Sequence, residues 1–179
     1  MIAGELRGRK LLSVPGRQVR PTSDKVREAL FSILGDRVAG AFFADLFAGS
    51  GAVGIEALSR GAHRCTFVEA EGEVVTVLER NIDHCALGSR TIVRRERVER
   101  FLTRGELAGE PGALIFLDPP YSTSDGRFAL AGLGAICQKS AGALIIYEHS
   151  SRIEPEAVTG LFERFRTAVY GDTALSFYR

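Results

Sequence analysis

The sequence predicts an α/β fold, a doubly wound, mostly parallel sheet of seven strands closed by an antiparallel C-terminal hairpin. Three observations predict it. Short apolar runs recur at 41–47, 113–117 and 143–148, the signature of strands covered on both faces. Helix-period segments lie between the strand runs, so strands and helices alternate along the chain. At the chain end the pattern changes to apolar–polar alternation on both sides of Gly171-Asp172, which reads as a hairpin.

Taken in order, the first 20 residues are punctuated by Gly4, Gly8, Pro15 and Gly16 and read as an extended arm or small hairpin. Pro21-Thr22-Ser23 opens a helix. Val26, Ala29, Leu30, Ile33 and Leu34 fall on one face of it, and Gly35 stops it. A buried strand at 41–47 leads through a glycine-rich turn into a helix that runs to Arg60, with Gly61 as the stop. Residues 64–70 form the second strand, and Val74, Val75, Leu78 and Ile82 line one face of the next helix. A short strand at 91–95 and a short helix at 98–102 follow. Then come an apolar strand at 113–117, a helix at 128–137 and another apolar strand at 143–148. In the hairpin, Phe165, Thr167 and Val169 alternate on one arm and Leu175, Ser176 and Phe177 lie on the other. The chain thus divides into a leader, 1–20, and one α/β domain, 21–179.

Composition excludes several classes. Apolar residues make up 45% and charged residues 25% of the 179, the balance of an ordinary soluble domain. No apolar run approaches the roughly 20 residues that span a bilayer, and no signal-peptide h-region is visible. Cys65, Cys85 and Cys137 are scattered and form no C-x-x-C pair, which fits reduced thiols in a cytoplasm and neither a disulfide framework nor a metal site. Net charge is +1, but it is unevenly spread: residues 1–27 hold seven basic and two acidic side chains, and the rest of the chain carries −4. A basic leader on a mildly acidic body is an asymmetry that contact with a polyanion would produce. A solvated N-terminus explains it equally well.

Asp45-Leu46-Phe47-Ala48-Gly49-Ser50-Gly51-Ala52-Val53-Gly54 joins the first strand to its helix. Gly49-x-Gly51-x-x-Gly54 matches the nucleotide-binding fingerprint, in which glycines let the backbone turn sharply and approach a ligand. Glu69 ends the second strand 18 positions beyond Gly51, where a carboxylate can accept hydrogen bonds from ribose hydroxyls. Asp45 distinguishes among nucleoside cofactors. A pyrophosphate at this turn would be repelled by it, whereas a ligand bearing a sulfonium and an amino group would be attracted. The loop therefore favours S-adenosyl-L-methionine over a dinucleotide.

Asp118-Pro119-Pro120-Tyr121 ends the fourth strand, on the same carboxyl edge of the sheet, where open α/β sheets bind ligands. The prolines stiffen the segment. An exocyclic amino group of a nucleic-acid base is a poor nucleophile because its lone pair is delocalised into the ring. The Asp118 carboxylate and the Pro119 carbonyl can accept its two N–H bonds and favour a more pyramidal nitrogen. Tyr121 can stack on an extruded base, worth roughly 1–3 kcal/mol. The tetrad suits adenine, cytosine and guanine alike.

With these motifs, the chain resembles the RsmD family of bacterial ribosomal RNA methyltransferases over nearly its whole length. The resemblance covers 4–10 (Gly-Glu-Leu-Arg-Gly-Arg-Lys), 20–31 (Arg-Pro-Thr-Ser-Asp-Lys-Val-Arg-Glu-Ala-Leu-Phe), 45–51 with 56–62, the tetrad, and 170–175. It implies a Rossmann-like class I methyltransferase fold with S-adenosyl-L-methionine as cofactor. It also implies methylation of a guanine N2 of 16S rRNA, by that resemblance guanine 966.

Carried onto this chain, the family's motifs imply that Asp45, Phe47, Ala48, Gly49, Ser50 and Gly51 line the methionine end of the cofactor. Glu69 and the adjoining Ala70 would take the ribose side, while Arg20, Pro21 and Thr22 close over the cofactor. Asp118, Pro119, Pro120 and Tyr121 would hold the base. Arg97 stands where the family has a small polar or acidic residue for the adenine amino group, with Glu96 beside it. Arg7, Arg9, Lys10, Arg17 and Arg127 are the candidates for RNA phosphates. A monomer acting on 16S rRNA within a small-subunit particle, away from membranes, is the expectation.

Glu148 and His149 follow the fifth strand, and a solvated strand end explains them better than a role at the site rim. His63 and His84 read as surface residues; Phe42, Phe43, Phe47 and Phe116 read as core. Three competing functions are weaker. A DNA amino-methyltransferase would share the tetrad but generally needs a separate recognition domain, a non-catalytic RNA-binding module would not need both motifs, and an NAD oxidoreductase is opposed by Asp45.

Overall fold

The computed structural model describes residues 1–14, 23–107, 109–120, 125–136 and 142–179. Its elements run α1 (Asp24–Leu34), β1 (Phe42–Leu46), α2 (Ala52–Ser59), β2 (Arg64–Glu69), α3 (Gly72–His84), β3 (Thr91–Arg95), α4 (Val98–Thr103) and β4 (Leu114–Leu117). They continue with α5 (Asp125–Ile136), β5 (Leu144–Ser150), β6 (Val158–Thr159), β7 (Phe162–Tyr170) and β8 (Thr173–Tyr178). One sheet holds all the strands, in the order β3-β2-β1-β4-β5-β8-β7-β6. β1 to β5 are parallel; β8 returns antiparallel against β5, and β7 against β8.

Alternate strand residues feed two cores, as a sheet's period of two requires. Phe43, Phe67, Phe116 and Ile146 face α1, α2 and α3; Ala44, Leu46, Val68, Ile115, Leu117 and Ile145 face α4 and α5. With helices on both faces, the sheet is doubly wound. Its order reverses between β1 and β4, which pair Leu46 with Leu117. The glycine loop and the tetrad leave the sheet from these two neighbouring strand ends, where ligands bind in such folds.

The structure shows an eighth strand. Val158–Thr159 pairs with Phe162 and Glu163, and two residues are too few to show an alternation in sequence. Helix α5 starts at Asp125, earlier than the expected Phe128. Gly126 sits in its first turn, where a Cβ would lie 2.4 Å from Tyr147 Oη and 2.7 Å from Pro119 Cγ, so the close approach there suits glycine. In the hairpin, β8 lies between β5 and β7 and is buried throughout, whereas Phe165 and Val169 of β7 are exposed. Arg179 covers the Phe165 ring, its guanidinium carbon 4.6 Å from the centroid.

Residues 1–14 contain turns and no strand. They are fastened to α2 and α3 through side chains that α2 and α3 bury. Glu56, fully buried, accepts the Ile2 and Ala3 N–H groups at 2.8 and 3.0 Å. Ser59 Oγ accepts from Leu6 N at 3.0 Å and donates to Ala3 O at 2.6 Å. At the opening of α1, Ser23 Oγ accepts the Val26 N–H, and Gly35 takes φ +53° at the end, a left-handed stop that favours glycine. Among the described residues, no helix is long and apolar enough to cross a membrane.

Candidate active site

The glycine loop begins under strain. Phe47, the first residue after β1, has φ +66°, a conformation uncommon for a residue with a side chain and one that marks functional turns. Gly49 and Gly51 also have positive φ, at +56° and +80°. A Cβ at Gly49 would meet nothing within 4 Å, so the backbone there borders open space. At Gly51 it would lie 2.4 Å from Leu78 Cδ1, so the loop rests directly on α3.

Three polar side chains hold this shape. Asp45 is buried on β1, and its Oδ2 accepts the Gly54 N–H at 2.8 Å. Glu69, at the end of β2, accepts the Gly49 N–H at 3.0 Å with one oxygen and the Glu71 N–H at 3.0 Å with the other. Asn81, fully buried on α3, donates to Ser50 O at 2.9 Å. The Ala48 N–H pairs with Val68 O at 3.0 Å. Ala48 is buried, Ser50 is half-buried and Ala70 is exposed at the start of the turn into α3.

The tetrad's first residue continues the sheet: the Asp118 N–H donates to Leu46 O at 3.3 Å. Pro119 is buried against the first turn of α5 and Pro120 is exposed. Asp118 is half-buried. Its charge and that of Glu69 both act on Asp45. Burial pushes the Asp45 carboxyl well above the usual range, the Gly54 N–H pulls it back, and the two carboxylates raise it further. This edge therefore gathers three acidic side chains, with buried Asp45 pushed toward its neutral form.

The other candidates stand outside the glycine loop and the tetrad. Arg97, between β3 and α4, is exposed. Its guanidinium pairs with Glu99 at 3.3 Å and lies 3.9 Å from Asp125 at the start of α5. Glu96 beside it is mostly buried, between Arg100 at 3.6 Å and Arg104 at 3.3 Å. Arg127 is exposed and pairs with Glu156 at 3.4 Å. In the leader, Arg7 and Lys10 are exposed, while Arg9 donates to the His84 carbonyl at the end of α3. Arg17, Arg20, Pro21, Thr22 and Tyr121 lie outside the described residues.

The reading of Glu148 and His149 as a solvated strand end is corrected: both are buried. β5 runs on to Ser150 because β8 pairs with it as far as Thr173. His149 Nδ1 donates to Ser150 O and its Nε2 faces Ser176 Oγ, each at 2.9 Å. His63 and His84 are exposed. Phe42, Phe43 and Phe116 are core, and Phe47 is only half-buried in its strained turn. Sequence reading missed Asn81, Glu56 and Ser59. The available signal was a polar residue on the apolar stripe of α3, three positions past Leu78, and an acid inside the otherwise apolar Ala52–Ser59 helix.

All of residues 1–179 match the family described as "Conserved hypothetical protein 95". A candidate rRNA methyltransferase of Bacillus subtilis (strain 168), YlbH, is 34% identical over 179 residues, spanning 100% of this chain and 97% of that one. The ribosomal RNA small subunit methyltransferase D of Escherichia coli (strain K12) is 39% identical over 121 residues, 68% of this chain and 59% of that one. A solved Escherichia coli structure described as a candidate methyltransferase, yhhF, superposes with a TM-score of 0.81 at 30% identity, covering 99% of this chain and 94% of that one. A Thermus thermophilus structure of undescribed function superposes at 0.74 with 31% identity, covering 98% and 95%. The chain belongs to this family, the RsmD family of methyltransferases.

Proposed function

We propose that this protein is an S-adenosyl-L-methionine-dependent methyltransferase that acts on the exocyclic N2 of a guanine in small-subunit ribosomal RNA. The observation that carries the reading is the meeting of the glycine loop and the Asp-Pro-Pro run at the neighbouring ends of β1 and β4, where the Asp118 N–H donates to Leu46 O at 3.3 Å and Glu69 at the end of β2 accepts the Gly49 N–H at 3.0 Å. The cofactor supplies an electrophilic methyl on a sulfonium centre.

The residues present fit that group. Open backbone at Gly49 leaves room for it, Glu69 can accept from ribose hydroxyls, and Asp45 holds the loop's shape through the Gly54 N–H. Asp118 and the Pro119 carbonyl would each accept one N–H of the amino group, which keeps the nitrogen lone pair available and directed. Methylation costs the amine one proton, which the Asp118 carboxylate would accept. Tyr121 would stack on the base, and Arg7 and Lys10 on the exposed leader would contact phosphates. The names of the relatives support the rRNA substrate; the choice of guanine rests on the family resemblance.

Methyl transfer from labelled cofactor to rRNA, followed by nucleoside mapping, tests the reading. Wild-type protein should produce N2-methylguanosine, and Asp118→Ala should lose roughly 100- to 1000-fold in kcat/KM with little change in cofactor affinity. Full activity of Asp118→Ala would sink the mechanism. A methyl group found on adenine or cytosine would overturn the base assignment.

A further inference from the structure

Asn81 links two parts of the protein that the chemistry uses separately. It is fully buried on α3. Its Oδ1 accepts the Leu12 N–H at 2.7 Å, and its Nδ2 donates to Leu12 O at 3.1 Å and to Ser50 O at 2.9 Å. One amide thus spends an acceptor and both donors on two backbone segments far apart in sequence, the leader and the glycine loop. Buried polar groups of this kind are costly to leave unpaired. If Leu12 departs, Asn81 loses two partners at once and has less to hold its Nδ2 on Ser50.

The leader is fastened at its other end as well. Leu6 N is held by Ser59 Oγ, and Ile2 and Ala3 by Glu56. Exposed Arg7 and Lys10 lie between these two anchor points. Any force on these two side chains therefore bears on Ser59 at one end and Asn81 at the other. Ser59 closes α2 and Gly51 opens it, so Ser59 is about 12 Å of helix away from the loop and cannot touch a ligand there.

We propose that Asn81 is a positioning residue that couples docking of the leader to the shape of the glycine loop, so that binding at the leader's basic side chains and binding at the loop influence one another. The coupling rests on the reading that the loop takes the S-adenosyl cofactor and the leader meets RNA. Linkage then makes it reciprocal: RNA that stabilises the docked leader tightens cofactor binding, and cofactor tightens RNA binding by the same factor. Among the described residues, Glu56, Ser59, Arg90 and the His84 carbonyl also fasten the leader, but of the side chains that do so only Asn81 also bonds the glycine loop.

A double-mutant cycle on S-adenosylhomocysteine binding, with amide hydrogen exchange on the same proteins, tests this. Ser59→Ala should loosen residues 2–12, speed exchange of the Gly49, Gly51 and Gly54 amides, and weaken S-adenosylhomocysteine binding about fivefold. Asn81→Ala should do the same to the loop. The double variant should bind no more weakly than Asn81→Ala alone, because the route is already cut.

Thermal melts identify any variant that fails to fold, and Glu56→Gln then replaces Ser59→Ala as the leader variant. The proposal is overturned if the leader loosens while the loop amides and the affinity stay unchanged, or if the two losses multiply. Wild-type protein that binds no S-adenosylhomocysteine would sink the cofactor reading. The exchange rates of the loop amides would still decide the coupling.

Discussion

The two loops that frame the candidate site are built differently. The glycine loop is held from outside by side-chain hydrogen bonds: Asp45 to Gly54, Glu69 to Gly49 and Asn81 to Ser50. The tetrad draws its stiffness from two prolines and from packing, with Pro119 set against Gly126 and near the Tyr147 hydroxyl. Hydrogen bonds from three different elements fix where backbone N–H and C=O groups point, which suits a surface that must meet one small ligand in one orientation. Proline stiffness and packing fix the path of the chain, which suits a pair of acceptors that must receive a planar base. The difference predicts that the loops fail separately when each is disturbed by its own means.

The largest effect should come from Gly51→Val. Its φ of +80° costs a side-chain-bearing residue about 1–2 kcal/mol, and a Cβ there would lie 2.4 Å from Leu78 Cδ1. Overpacking adds about 1–3 kcal/mol. Urea unfolding should show a loss of roughly 2–4 kcal/mol, and calorimetric titration should show S-adenosylhomocysteine affinity down at least about tenfold. The companion Leu78→Ala relieves the clash but not the backbone strain, so it should restore part of the stability. Unchanged affinity in Gly51→Val would mean that the loop's shape is not what binds the cofactor.

How much of this was legible in the sequence follows the same division. Asp45, the glycines, Glu69 and the Asp-Pro-Pro run declare themselves because their chemistry demands particular residue types at particular strand ends. The parallel order and the terminal hairpin declare themselves through periodicity. Asn81, Glu56 and Ser59 do not, since each acts on backbone more than fifty positions away (31 for Asn81 on Ser50), and no local pattern encodes such a partner. Glu148 and His149 looked solvated because the length of β5 depends on β8 inserting beside it. Gly126 hid the start of α5 for a related reason, because only the fold shows what it packs against.

A middle-sized effect should come from Gly126→Ala, which disturbs the tetrad and spares the glycine loop. Alanine gains about 1 kcal/mol of helix propensity, while its Cβ would press Tyr147 Oη and Pro119 Cγ. Stability should change little. Activity should fall several-fold in kcat, with S-adenosylhomocysteine affinity unchanged. Adding Tyr147→Phe removes the hydroxyl nearest the new methyl and should recover part of kcat. Equal losses in cofactor affinity and kcat would show that the two loops are not independent, and the contrast between them would collapse.

The smallest effect should appear at His149, on the strand beside the tetrad, and should touch stability without touching either loop. Burial lowers the His149 pKa, the Ser150 carbonyl partly opposes it, and the nearby Arg164 lowers it again. The neutral ring fits its contacts, with Nδ1–H donated to Ser150 O and Nε2 accepting from Ser176 Oγ. Because the folded pKa is depressed, the unfolded chain takes up the proton first as pH falls. Its contribution is therefore fully present above the ordinary histidine value of about 6.5 and is lost as pH drops from there towards the folded value. Wild-type Tm should fall between pH 7.5 and 5.5 by a few degrees more than that of His149→Gln, whose side chain does not titrate. Identical pH slopes for the two proteins would show that the folded site accepts the charge of His149 as readily as water does, which would remove burial as the cause of the shift.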